Sequence, residues 1–147
     1  MRIYVAGAWV EKEERARPAM VKLRAAGHEI TYDWIPSLER CAELEAAGIN
    51  SDAGLSGADR LRFAVADRDG VLTADLLWVL CSNTQAGAGH WVELGIAIGA
   101  RCRRHELGGF LPRIVVSGAK RNRTIFTALA DCSMEHDEDA LQWICAP

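Results

Sequence analysis

Apolar positions along this chain fall into two alternating kinds of run, short continuous stretches of strand length and longer stretches with helical spacing. Arg2 to Val10 is a continuous apolar run with β-branched and aromatic residues, the pattern of an interior parallel strand. From Glu11 to Ala26 the apolar residues Ala16, Ala19, Met20 and Leu23 recur at three and four, acidic residues crowd the start, and Gly27 stops the pattern, which predicts a helix. His28 to Trp34 alternates and ends at Ile35-Pro36, a second strand. Ser37 can cap a short helix to Ala47, and Gly48 to Gly57, rich in Gly, Ser, Asn and Asp, reads as a surface loop able to act as a flap.

A helix over Ala58 to Thr73 follows, then Asp75 to Cys81, an apolar run typical of a strand buried on both faces. Beyond a loop at Ser82 to Gly89, the pattern predicts a helix from His90 to Arg101, a strand from Arg113 to Ser117 and a helix from Asn122 to Ala130. A short strand at Ser133 to His136 and a helix from Asp137, its expected cap, to Trp143 complete the reading. Strands alternating with helices point to a doubly wound α/β fold, because each parallel connection needs a right-handed crossover. Five strands suggest a flavodoxin-like parallel sheet of order 2-1-3-4-5 in one domain over residues 1–147. Its switch point lies between the first and third strands, where ligands meet the carboxyl ends.

Composition narrows the classes of function. A chain of 147 residues can bury a sizeable core without metal or disulfides. Its 17 Lys and Arg against 20 Asp and Glu, scattered rather than clustered, leave no electrostatic footprint for a nucleic acid polymer or an anionic membrane. Five cysteines without a CxxC pair read as reduced thiols. No secretion signal is recognisable in the first residues and no apolar run approaches the ~20 residues of a membrane span, so a cytoplasmic protein is expected. Cys102 and His105 have metal-like spacing without a second pair, and Ser117 to Lys120 lacks the spacing of a phosphate loop; neither a metal nor a cofactor is expected.

Candidate chemistry gathers near the expected switch point. Gly87 and Gly89 precede Glu93 at a helix start, where the dipole favours an ionised carboxylate able to act as a nucleophile; the alternative is a glutamate that only complements its own helix. Asp67 falls between Ala64 and Val71 on one helical stripe, so it lies against the sheet and needs partners. Asp69, two residues on, occupies another face, and Asp75 sits at a strand entrance, away from the carboxyl ends. His90 reads as a solvated first-turn residue. Trp9, Asp33 and Trp34 follow the first two strands: a Trp can stack on a nucleobase and Asp33 can accept from an exocyclic amine, unless Trp34 simply packs in the core.

Three segments in order, Ile3 to Val10, Asp67 to Asp75 and Gly87 to Ala97, make the chain similar to the nucleoside 2-deoxyribosyltransferases. The resemblance implies Glu93 as nucleophile in its Glu-Leu-Gly-x-Ala motif, Asp67 as the acid eight residues before the strand-opening Asp75, and Tyr4 as the residue that orients the nucleophile. It implies no cofactor, a nucleoside or nucleotide and a free nucleobase as small-molecule partners, and a homo-oligomer whose sites a neighbour completes through Asn122 to Phe126, with Asn122 and Thr124 as binding residues.

The chain also departs from that pattern. Ala86-Gly87-Ala88 replaces an acidic residue that family transferases often carry, which leaves Asp67 as the proton donor. Related hydrolases of nucleoside 5'-monophosphates hold phosphate with a Ser- and Arg-rich turn where this chain has Ala8-Trp9-Val10, which favours an uncharged nucleoside. The expected activity is therefore cleavage of an N-glycosidic bond and base exchange through a glycosyl-Glu93 ester. The alternatives are a 5'-monophosphate N-glycosidase and a nucleotide-binding sensor without turnover.

Overall fold

Five parallel strands, β1 (Arg2–Ala6), β2 (Glu29–Ile30), β3 (Leu76–Leu80), β4 (Arg113–Ser117) and β5 (Cys132–Met134), form one sheet in the order β2-β1-β3-β4-β5. This is the expected flavodoxin-like arrangement. The computed structural model describes residues 1–37, 39, 43, 55–82, 89–106 and 112–146. The expected helix after Ser37 and the loop over 48–57 lie largely outside the described residues. Helices α1 (Arg17–Ala25) and α4 (Asp137–Cys145) pack together, as do α2 (Gly57–Thr73) and α3 (Gly89–Glu106). All of β3 and all but the first residue of β1 and β4 are buried, which is why those stretches are apolar except at Ser117, whose hydroxyl is hydrogen-bonded. No helix among the described residues is long and apolar enough to cross a membrane.

Where the elements differ from the sequence pattern, local chemistry explains it. The first strand ends at Ala6 rather than Val10, and Trp9–Glu11 coils into a 3-10 turn. Glu11 to Ala26 is not one helix: a π-helical turn at Lys12–Ala16 precedes α1, with Pro18 in the first turn of α1. Proline has no N–H to continue a helix from upstream and its ring crowds the carbonyl four residues back, so the α-helical ladder begins only around it.

The second strand is two residues long. Thr31 N still donates to Ile3 O at 3.0 Å, but the next acceptor, Val5 O, is taken by the Trp34 indole Nε1 at 2.8 Å, and the backbone leaves the sheet. Lys120–Asn122 and Ile125–Leu129 form 3-10 turns where one helix was expected, with the Thr127 N–H and hydroxyl both donating to Thr124 O. Asp137 does not cap α4; it lies inside the first turn and bonds elsewhere.

Those bonds belong to a polar clasp at the carboxyl edge of the sheet. Asp137 receives two hydrogen bonds from the Arg15 guanidinium, each 2.8 Å, and one from Ser117 Oγ at 2.6 Å. Ser117 in turn accepts from the buried Trp78 indole at 2.9 Å, while Arg15 also reaches Glu11 and Cys81 O. Arg15 holds the Asp137 carboxyl below the usual carboxylate range against the opposing effect of burial. Gly118 turns beneath this clasp at φ +109°, and a Cβ there would stand 2.5 Å from Cys81 O.

A second glycine sets how close α2 comes to β1. A Cβ on Gly70 would lie 2.8 Å from Tyr32 Cβ and 2.9 Å from the Tyr4 ring, atoms that cannot swing aside. Gly95 and Gly99 on α3 have nothing within 4 Å of the same position. Alanine in a helix gains about 0.5–1 kcal/mol over glycine, whereas overpacking costs about 1–3 kcal/mol. Gly95→Ala and Gly99→Ala are therefore expected to raise the unfolding free energy by about 0.5–1 kcal/mol. Gly70→Ala should lower it by about 1–2 kcal/mol, despite the same gain in helix propensity; chemical denaturation of the three variants checks the opposite signs.

Candidate active site

Because β1 is an interior strand, the Tyr4 side chain is wholly buried, and its hydroxyl needs partners. It finds two. The phenol oxygen lies 2.7 Å from Asp67 Oδ1 on α2 and 2.7 Å from Glu93 Oε1 on α3. Asp67 precedes Gly70 by three residues and shares its face of α2, so the missing Cβ that lets the helix approach β1 also brings this carboxylate to the phenol. Each bonded carboxylate oxygen is 2.7 Å from one atom, so the two are at most twice that, 5.4 Å, apart. The second Glu93 oxygen, Oε2, is buried without a hydrogen-bond partner.

These surroundings raise the proton affinity of both carboxyls. Burial pushes Glu93 up to about 7, and the neighbouring Asp67 charge adds to this against the Tyr4 hydrogen bond. Burial also raises Asp67, again opposed by Tyr4, and burial with both carboxylates nearby keeps the phenol protonated. The expectation of a first-turn glutamate ionised by a helix dipole is corrected here. α3 begins at Gly89, which places Glu93 beyond the first turn, where burial outweighs the dipole.

A pocket of about 210 Å³ opens over the pair, lined by Gly7, Ala8, Trp9, Trp34, Ser37, Phe63, Asp67, Gly89, His90 and Glu93. Its walls follow the carboxyl ends of β1 and β2 and the neighbouring faces of α2 and α3, the switch point expected from the strand order. Ala8, Trp9, Trp34, Gly89, Asp67 and Glu93 thus come together as the sequence suggested. Trp34 is nearly buried and anchored to Val5 O, so it is as much core as wall. Trp9 is partly exposed with Lys12 Nζ 4.0 Å from its ring centre, a cation–π contact.

Other expected residues do not join this group. Asp33 is not among the lining residues; its carboxylate bonds Arg24 at 3.0 Å and the Ile35 N–H at 3.3 Å, so its acceptors serve the strand end. Gly87 lies outside the described residues. Asn122 closes one 3-10 turn, and Thr124, which opens the next, does not line the pocket. Asp69 pairs with Arg68 on the exposed face of α2, and Asp75 with the Arg2 side chain and N–H at 2.8 Å each, as their discounted roles required.

Four lining residues escaped the sequence reading. His90 was expected in solvent, yet it is 2% exposed, its Nδ1 is buried without a partner, and burial lowers its pKa. The signal was its spacing, three residues before Glu93 and so on the same helical face. Phe63 stands four before Asp67 in the same way. Gly7 and Ser37 carried no comparable signal.

Among the described residues no group of three His, Cys, Asp or Glu is placed to hold a metal ion. A wider depression of about 640 Å³ lies by Gly118, Lys120 and Glu138, but the Arg15 and Asp137 charges on its wall already satisfy each other. The smaller pocket is the candidate site because its acidic groups lack such a counter-charge.

No protein-family profile matches the chain, and no curated protein matches it. Among solved structures, the CMP N-glycosidase BcmB of Clostridium botulinum superposes with a TM-score of 0.56 over 98% of this chain and 97% of that one, at 14% sequence identity. The likeness is one of fold: a single α/β domain with the same sheet architecture.

Proposed function

We propose that this protein cleaves the N-glycosidic bond of a nucleoside through a covalent glycosyl ester on Glu93. The observation that carries the reading is the spacing of the two carboxyls about Tyr4. Retaining glycosidases place their carboxyl pair about 5–5.5 Å apart, so that one attacks the sugar directly, whereas inverting ones leave about 6.5–9.5 Å for a water. An upper limit of 5.4 Å between the bonded oxygens supports direct attack. The partnerless Oε2 is the free nucleophilic oxygen, with Oε1 held by Tyr4.

In the first step Glu93 Oε2 bonds the anomeric carbon as the bond to the base nitrogen breaks. The bonding pair leaves with the base, which receives the Asp67 proton. In the second step a base nitrogen or a water oxygen attacks the same carbon and frees Glu93, giving base exchange or hydrolysis. The partly exposed Trp9 supplies a stacking surface for the base. In the same reading the protein is a homo-oligomer, because Asn122 and Thr124 adjoin the exposed Ile125 and Phe126, a face suited to a second copy whose site they would complete.

A second reading, a nucleoside 5'-monophosphate as substrate, is favoured by the CMP named for the structural neighbour. Against it, no Lys or Arg is among the pocket's described lining residues and two carboxyls are, which disfavours a dianionic phosphate. Incubating the protein with each deoxynucleoside, ribonucleoside and 5'-monophosphate, with and without a free acceptor base, decides between these readings. Free base or exchanged nucleoside from uncharged substrates supports the first; turnover of monophosphates alone replaces it with the second.

Glu93→Gln should abolish turnover and Asp67→Asn should lower it about a hundredfold or more, while Asp69→Asn should leave it within a fewfold. Intact mass after denaturing a reacting sample should rise by one sugar unit in the parent and not in Glu93→Gln. Trp9→Ala is expected to raise the apparent substrate constant roughly ten- to a hundredfold, and nucleoside should quench parent fluorescence more than that of the variant.

The folded protein also carries a stability signature of Glu93. Its pKa is about 7 when folded against an ordinary value of 4.5, so between those pH values the folded state holds a proton that the unfolded chain has lost. This contribution is fully present below 4.5 and lost as pH rises through 7. Unfolding free energy should therefore fall by about 2 kcal/mol across that interval after allowance for partial solvent screening, and Glu93→Gln should flatten the slope in denaturant titrations.

A further inference from the structure

A phenol has one hydrogen to donate, yet the Tyr4 oxygen lies 2.7 Å from oxygens of both Asp67 and Glu93. It can donate to one of them. The other contact is a hydrogen bond only if that carboxyl carries a proton and donates it to the phenol, so the triad is built around one proton shared by two carboxyls. Among the described residues, the groups that face it are its own members on β1, α2 and α3, together with His90 on α3. Tyr32 stands beside Gly70 with its hydroxyl on Ser37 Oγ at 2.6 Å, and Glu11 and Arg15 act on His90. Burial lowers the proton affinity of the imidazole, and the Arg15 guanidinium is engaged by Asp137 and Glu11.

Catalysis needs the shared proton on one particular carboxyl. Burial raises the proton affinity of Glu93, to about 7 with the Asp67 charge adding to it, and burial raises that of Asp67 as well, so the two carboxyls compete for the proton. Attack needs Glu93 ionised, and departure of the base needs Asp67 protonated. Both conditions hold together only when the shared proton lies on Asp67.

We propose that the Tyr4 hydroxyl is a proton relay, through which the proton of Glu93 is exchanged for one on Asp67 as the bond to the base breaks. This rests on the N-glycosidic reading above. The Glu93 Oε1–H bond breaks as a new O–H bond forms on Tyr4, and the original Tyr4 O–H bond breaks as one forms on Asp67 Oδ1. The phenol stays neutral, the pair keeps one negative charge, and the nucleophile is ionised in the step that arms the acid. Positive charge developing on the sugar draws the anion to Glu93, and the departing base draws the proton through Asp67.

The test compares the parent, Tyr4→Phe and Asp67→Asn on two substrates with the same sugar, one losing a basic nucleobase and the other a nitrophenolate that departs without a proton. A relay predicts that Tyr4→Phe loses about a hundredfold or more on the nucleobase substrate and less than about tenfold on the nitrophenyl glycoside, in parallel with Asp67→Asn. Parent kcat/KM on the nucleobase substrate should fall as pH rises through about 7, where the shared proton is lost. Equal losses on both substrates in Tyr4→Phe would show that Tyr4 only orients Glu93, and would overturn the relay while leaving the functional reading in place. Infrared spectra of the empty protein should show a protonated carboxyl band at pH 6 that disappears with a midpoint near 7 and is missing from Glu93→Gln. Absence of that band in the parent overturns the relay whatever the kinetics, and a parent inert on every nucleoside and nucleotide overturns the relay and the functional reading together.

Discussion

One hydroxyl, that of Tyr4, lies within hydrogen-bond distance of two carboxyls carried by two different helices. A phenol and two acids taken out of water are costly unless each finds a partner. Here they find only one another. The arrangement therefore depends on how closely α2 and α3 can approach β1, and Gly70 sets the first of those distances. The candidate site and the packing are coupled at this point, since the absence of one methyl group lets the Asp67 carboxyl reach the phenol.

The carboxyl edge of the sheet holds a second acidic cluster that behaves in the opposite way. Asp137 is buried to a comparable degree, but Arg15 supplies a bidentate counter-charge and Ser117 a further donor, so its proton affinity falls. Glu93 and Asp67 have a neutral phenol instead of a guanidinium, and their proton affinities rise. The same residue type is thus tuned to hold an element in place in one cluster and to hold a proton in the other. Arg15 joins the chain after β1 to the ends of β3 and β4 and the start of α4, which steadies the wall from which Trp9 projects.

Much of this was legible in the amino-acid order. β4 runs over the expected residues and β3 falls within one residue of its expected limits, because continuous apolar runs are strong local signals; α2 also falls within one residue, and in the structure Ser56 caps it. The segment after β1 was less legible, since Pro18 and the Trp34 indole act through geometry that a helical or alternating pattern does not record. At the site, Glu93, Asp67 and Tyr4 were identified, and His90 and Phe63 were missed. Helical spacing alone cannot say which of two faces meets the sheet when the flanking loop residues carry no pattern.

The sequence by itself determined the order of the elements, and through it the parallel sheet and the edge at which a ligand meets the chain. Hydrophobic period and the handedness of crossovers leave few alternatives. Tertiary structure alone decided that one phenol faces two carboxyls. Tyr4, Asp67 and Glu93 are 63 and 26 positions apart, and nothing local to any of them foretells a single shared hydrogen. It arises because three elements converge where burial disfavours the charged form of each acid and one phenol hydrogen faces two acceptors. Asp33 shows the converse: its place after a strand suggested a role in the pocket, and the fold turned its carboxylate to Arg24 instead.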